Sequence, residues 1–190
     1  FFAVGGLYYF DLWIEKEKTE CYLAAIAYTA LTGLTKVPGL LIGIPMIGQC
    51  IVKWGPMRAV KNIKLYIFAV LSLAIPWLYF YWLGTIAEQN FVEGIGRNLI
   101  LPNFFRAVFQ GENLSYLIEQ LTTKVFTIPG IILFFIGLLS GAQRENTFYW
   151  AWLMGAFIHV MLICAVIHLD YYLMFITPVY LYLWVWEELS

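Results

Sequence analysis

Several side chains in this sequence have the chemistry to handle a phosphate or a sugar hydroxyl. Lys36 stands in a Thr35-Lys36-Val37-Pro38-Gly39 stretch between two apolar runs. An ammonium at the edge of a bilayer can hold a phosphate; it can equally snorkel and only mark the interface. Arg97 follows Gly94-Ile95-Gly96, and Arg106 follows Phe104-Phe105. A guanidinium in a membrane-hugging loop suits bidentate phosphate recognition, and its bland role is contact with solvent or a lipid headgroup. His168 and Asp170 precede Tyr171 and Tyr172. An imidazole there can donate a hydrogen bond to a substrate or carry a proton, or the His–Asp pair can simply finish a helix.

Other polar positions read as structural. His159 lies 2.5 turns before His168 on a straight helix, so the two face apart. A histidine in mid-membrane is costly, which predicts that His159 faces a protein interior and is not catalytic. Cys21, Cys50 and Cys164 lack metal or redox spacing and read as buried free thiols. Glu88 and Glu93 read as a solvated face. The sequence has no nucleophile elbow, phosphate-binding glycine loop or metal-ligand cluster, so no catalytic residue, metal or cofactor is assigned within it. Asn113-Leu114-Ser115 is a glycosylation sequon.

The elements that must position these residues follow from composition. Of 190 residues, 62% are hydrophobic and 12% charged, and the formal net charge is 11 − 12 = −1. Soluble domains carry about 25% charge, so a water-soluble globule, a disordered chain and a nucleic-acid binder are excluded as expectations. Charges punctuate long apolar runs: 23 residues without Asp, Glu, Lys or Arg between Lys64 and Glu88, 19 between Lys124 and Arg144, 24 between Glu145 and Asp170, and 16 between Asp170 and Glu187. A membrane span needs about 20. Residues 20–53 read as a tight helical hairpin with Thr35–Gly39 as its tip, and residues 1–13 as the last half of a further helix. The chain opens on Phe1-Phe2-Ala3-Val4 inside an apolar run, which reads as a piece of a longer protein. The expected fold is all-α: a polytopic transmembrane bundle of about six complete spans plus one truncated.

Orientation follows from positive charge in short loops. Residues 53–64 carry four basic side chains and no acid, which places them in the cytoplasm. Alternation then puts 14–20 and 142–147 on the same side. Lys36, the segment 84–124 and the His168–Asp170 turn fall on the outer or lumenal face. Segment 84–124 is expected to lie on the membrane surface as one or two amphipathic helices, the second over Glu112–Leu121 with Leu114, Leu117, Ile118 and Leu121 at helical spacing.

At Leu34-Thr35-Lys36-Val37-Pro38-Gly39 the chain resembles the GT-C membrane glycosyltransferases related to dolichyl-phosphate-mannose–protein mannosyltransferase and bacterial aminoarabinose transferase, with Val37 where that family usually has Gly. Ile75-Pro76-Trp77-Leu78-Tyr79, the stretch around Arg97, and His168 through Tyr171-Tyr172 to Pro178 resemble further family motifs in the same order. The likeness runs from about residue 21 to 183. It implies that 1–190 is part of one GT-C-type transmembrane domain, in a bacterial inner membrane or the ER. It implies transfer of a sugar from a polyprenyl-phosphate donor to a protein, lipid or glycan acceptor at the periplasmic or lumenal face. Lys36, Arg97, Arg106, His168, Asp170, Tyr171 and Tyr172 would then bind the lipid phosphate and sugar, and the catalytic acidic residue would precede this chain. The alternative is a non-enzymatic transporter or flippase bundle handling lipid-linked substrates; such proteins place polar groups and broken helices near the bilayer midplane.

Overall fold

A computed structural model describes residues 1–87, 98, 100, 102–103, 106–125, 128, 131–132, 147–161 and 168. The described residues are helical, with no strand among them. The chain divides into two compact units, Phe1–Asn90 and Phe91–Ser190.

The first unit begins with α1 (Phe2–Lys16) and α2 (Thr19–Thr35). Their connection is tighter than the expected loop over 14–20. Glu17 takes a left-handed conformation (φ 51°) and donates its backbone N–H to Trp13 O at 2.8 Å, closing α1 within one residue. Thr32 and Thr35 satisfy their hydroxyls inside α2, donating to Tyr28 O at 2.8 Å and Leu31 O at 3.0 Å. The break expected at Thr35–Gly39 is present, but no tight hairpin forms: α2 packs on α1 and α5, and α3 packs on α1. Lys36 is extended (φ −154°, ψ 118°) and ends α2. Pro38 cannot donate to the carbonyl of Leu34, so the α-helical ladder cannot run through it. A 3₁₀ segment, Val37–Ile42, leads directly into α3 (Gly43–Trp54), whose Pro45 falls in the first turn, where a missing N–H is tolerated.

The basic stretch 53–64 is more ordered than a loop. Gly55 (φ 75°) breaks the chain, Pro56 starts a short α4 (Pro56–Lys61), and the Asn62 carboxamide oxygen accepts the N–H of Lys64 to cap α5 (Ile63–Ile86). At 1.5 Å per residue, 24 residues reach about 36 Å, enough to cross a hydrocarbon core of ~30 Å. Only Phe68, Ser72 and Pro76 of α5 are buried, one residue every turn, while Ile67, Val70, Leu71, Leu73 and Leu78 are exposed. A helix apolar all round that buries a single narrow stripe suits lipid on its remaining faces. Among the described residues, two helical stretches are long and apolar enough to cross a membrane, Val37–Trp54 and Ile63–Ile86. The expected spans over 125–143 and 171–186 lie mostly or wholly outside the described residues.

An aromatic cluster joins these helices. Phe10 meets Phe68 at 4.9 Å with the rings tilted; Trp13 meets Tyr22 at 4.8 Å and Trp54 at 5.6 Å. Tyr22 donates its hydroxyl to Lys64 O at 2.8 Å, tying α2 to the start of α5. Backbones approach closely where side chains vanish. A Cβ on Gly33 would stand 2.8 Å from Pro76 Cγ and 2.9 Å from Leu40 Cδ2, so α2 meets α5 there without one.

In the second unit a 3₁₀ turn (Ala107–Phe109) precedes α6 (Gly111–Gln120), a π-helical turn (Leu121–Val125) follows it, and α7 spans Thr147–His159. The helix expected over Glu112–Leu121 is thus present one residue earlier, but its apolar face is narrower. Leu117 is buried, whereas Leu114 and Ile118 are exposed. The widened turn has a local cause. Thr122 donates to Ile118 O at 2.8 Å and Thr123 to Glu119 O at 2.6 Å, and such hydroxyls compete for the helix's own carbonyls. On α7, Trp152, Ala156 and His159 form one buried stripe, so His159 faces the protein interior.

Candidate functional site

Lys36 is exposed at the tip between α2 and the 3₁₀ segment, where its own C=O accepts the N–H of Gly39 at 2.9 Å. The extended backbone at residue 36 follows from the Pro38 break, so Lys36 stands at a corner of the chain rather than on a helix flank. This corner belongs to the first unit; Arg106 and His168 belong to the second. Arg97, Asp170, Tyr171 and Tyr172 lie outside the described residues.

In the second unit the structure assembles a polar corner around one amide. Asn113, in the first turn of α6, donates from Nδ2 to Ala107 O at 2.9 Å and to Gln110 Oε1 at 3.1 Å. Its Oδ1 lies 2.9 Å from His168 Nε2, across 55 residues of sequence. The His168 ring stacks on Tyr116, with centroids 4.1 Å apart and planes inclined by 20°. Arg106 is exposed and precedes Ala107, the residue whose carbonyl anchors Asn113; its own N–H donates to Asn103 O at 3.0 Å. Arg106 and His168 are therefore both tied to the short 3₁₀–α6 corner, one by chain adjacency and one by hydrogen bond. An exposed guanidinium suits recognition of an anion, and an exposed, oriented imidazole suits recognition of a hydroxyl.

Asn113 and Tyr116 were not legible as site residues. Their i, i+3 spacing puts them on one helix face, but nothing local points to His168. In the fold the amide nitrogen of the sequon residue Asn113 is engaged by two oxygens.

The first unit holds a second polar feature that residue type alone did not flag. Gln49 Nε2 donates to Asp11 Oδ1 at 3.2 Å, and one turn on Lys53 Nζ meets Glu15 Oε1 at 2.7 Å. Asp11 and Glu15 are spaced i, i+4 on α1, and Gln49 and Lys53 likewise on α3, so the two contacts form successive rungs between the helices. The ammonium of Lys53 holds the Glu15 carboxyl below its ordinary range, first through the hydrogen bond and then through charge. Among the described residues no three His, Cys, Asp or Glu side chains converge as a metal site would require.

No protein-family model matches this chain, and neither a curated protein nor a solved structure matches it.

Proposed function

We propose that this chain belongs to a multi-pass membrane glycosyltransferase of the GT-C kind. It moves a sugar from a polyprenyl-phosphate donor to a protein, lipid or glycan acceptor at the periplasmic or lumenal face of a bacterial inner membrane or the ER. The observation that carries the reading is the exposed Lys36 at a proline-broken corner, where α2 meets the apolar stretch Val37–Trp54. A cation held there meets a lipid phosphate at the bilayer edge and stabilises the charge that develops as the sugar leaves. The exposed apolar faces of α5 support a membrane span and would supply an apolar wall for a polyprenyl tail within a bundle of about six spans. Arg97 and Arg106 add cationic contacts to the phosphate. His168, Asp170, Tyr171 and Tyr172 orient hydroxyls, and the acidic residue that activates the acceptor lies outside 1–190.

The test is sugar transfer in nanodiscs by a protein that carries residues 1–190 together with that acidic residue. Lys36→Ala lowers use of the lipid-phosphate donor by about 10–150-fold, the worth of one charge-assisted contact in a partly buried site. Lys53→Ala, which removes only the exposed bridge to Glu15, leaves it within a few-fold. Equal, small effects refute the role given to Lys36.

One observation favours a second reading as a lipid-sugar flippase. The Asp11–Gln49 contact is polar and partly buried between otherwise apolar helices, as a translocation path requires. Movement of a lipid-linked sugar across proteoliposomes without cleavage of its phosphate bond selects that reading over the first.

A further inference from the structure

The contacts of Asn113 settle which nitrogen of His168 carries hydrogen. Ala107 O is a backbone carbonyl and can only accept, so the Asn113 atom 2.9 Å away is the amide nitrogen. The other terminal atom, which faces His168 Nε2 at 2.9 Å, is therefore the oxygen. That oxygen has no hydrogen to give, so Nε2 is the donor. In the neutral imidazole Nδ1 is then a bare lone pair. Tyr116 stacked on the ring holds its plane, and the ring is exposed, so Nδ1 is fixed in direction and open to a ligand. Among the described residues, the charged and titratable groups on the 3₁₀ turn, its flanking residue and α6, besides His168, are Arg106, Glu112, Tyr116 and Glu119.

A fixed lone pair discriminates. It accepts a hydrogen bond from a hydroxyl and repels the oxygens of a phosphodiester, which carry no hydrogen. We propose that His168 reads a hydroxyl of the sugar or of its acceptor through Nδ1, not the lipid phosphate, and that Asn113 is the positioning residue that sets this preference. The hydroxyl assignment rests on the glycosyltransferase reading above; the positioning role of Asn113 does not.

The experiment uses the full chain with ¹⁵N-labelled histidine, the His168 signals being identified by their loss in His168→Gln. At neutral pH the native protein shows protonated Nε2 and unprotonated Nδ1. Asn113→Ala gives a mixture of both neutral tautomers. Transfer by Asn113→Ala falls by about 3–10-fold, the worth of one neutral hydrogen bond, and the loss appears in the KM for the hydroxyl-bearing substrate. Native His168 protonated on Nδ1, or a tautomer unchanged in Asn113→Ala, overturns the positioning role. A shifted tautomer with unchanged transfer overturns the hydroxyl assignment. If the Nε2–H tautomer is present yet a protein carrying residues 1–190 together with the acidic residue transfers no sugar from any polyprenyl-phosphate donor, the glycosyltransferase reading fails, the hydroxyl assignment falls with it, and the positioning role of Asn113 is upheld.

Discussion

Phe10 in the first unit is 1% exposed and packs between Trp13 and Phe68, with no polar atom in its side chain. Asn113 in the second unit is half-buried and uses every polar atom of its side chain, on Ala107, Gln110 and His168. The two residues hold their surroundings by different physics. Contacts around Phe10 are numerous, individually weak and tolerant of small rotations. Those around Asn113 are few and directional, so they fix orientation more than they add stability. A region built the first way makes a scaffold, and one built the second way aims a side chain.

Removing Phe10 tests the scaffold most severely. Phe10→Ala destabilises the first unit by about 3 kcal/mol, the low end for an aromatic deletion, because detergent or lipid also solvates part of the freed surface. Thermal unfolding in detergent measures it, and a loss under ~1 kcal/mol breaks the contrast drawn here. Gly33→Ala comes next. Its new Cβ would stand 2.8 Å from Pro76 Cγ, inside a rigid ring, and 2.9 Å from Leu40. Overpacking of this kind costs about 1–3 kcal/mol. Repacking of Leu40 alone cannot relieve it, so a double variant Gly33→Ala/Leu40→Ala stays destabilised. Asn113→Ala is milder for stability, about 1 kcal/mol for its lost hydrogen bonds. Its larger consequence is faster hydrogen exchange in the first turn of α6, with the first unit unchanged. Exchange that spreads to α1 or α2 contradicts independent modes of cohesion.

The same contrast explains what could be read from the sequence. Helices over 1–13, on either side of Lys36, between Lys64 and Glu88, and over Glu112–Leu121 were legible because charge spacing and apolar runs are local signals. The break at Thr35–Gly39 was legible because Pro38 acts on its own neighbours. The Glu17 turn was not, since nothing but the fold puts a non-glycine residue in the left-handed region. Lys36 and His168 could be singled out by residue type, yet the tautomer of His168 depends on a partner 55 residues away. The Asp11–Gln49 and Glu15–Lys53 rungs were missed because each pair is 38 residues apart, although the i, i+4 spacing within α1 and α3 was visible. Partners fixed by tertiary approach leave no mark on either strip of sequence alone.

The smallest expected effect lies on the polar side of the first unit. The ammonium of Lys53 lowers the carboxyl of Glu15 from its ordinary value, through its hydrogen bond first and its charge second, against a small opposing desolvation. Because the folded value lies below the unfolded one, the bridge stabilises the folded chain fully above the unfolded value near 4.5, and this contribution is lost as pH falls through the lowered folded value. Glu15 is exposed, so water and salt screen most of the attraction. Native protein and Glu15→Gln should therefore differ slightly in unfolding temperature at neutral pH and low salt, with native the more stable. The difference should vanish on acidification below the carboxylate range, and should shrink at neutral pH when salt is raised toward 1 M, where the screening length falls to about 3 Å. A gap that persists in acid would mean that Glu15 contributes through packing of its methylenes and not through its charge. The rung would then belong with Phe10 as scaffold, while Asn113 would remain the place where polar geometry decides what a side chain can do.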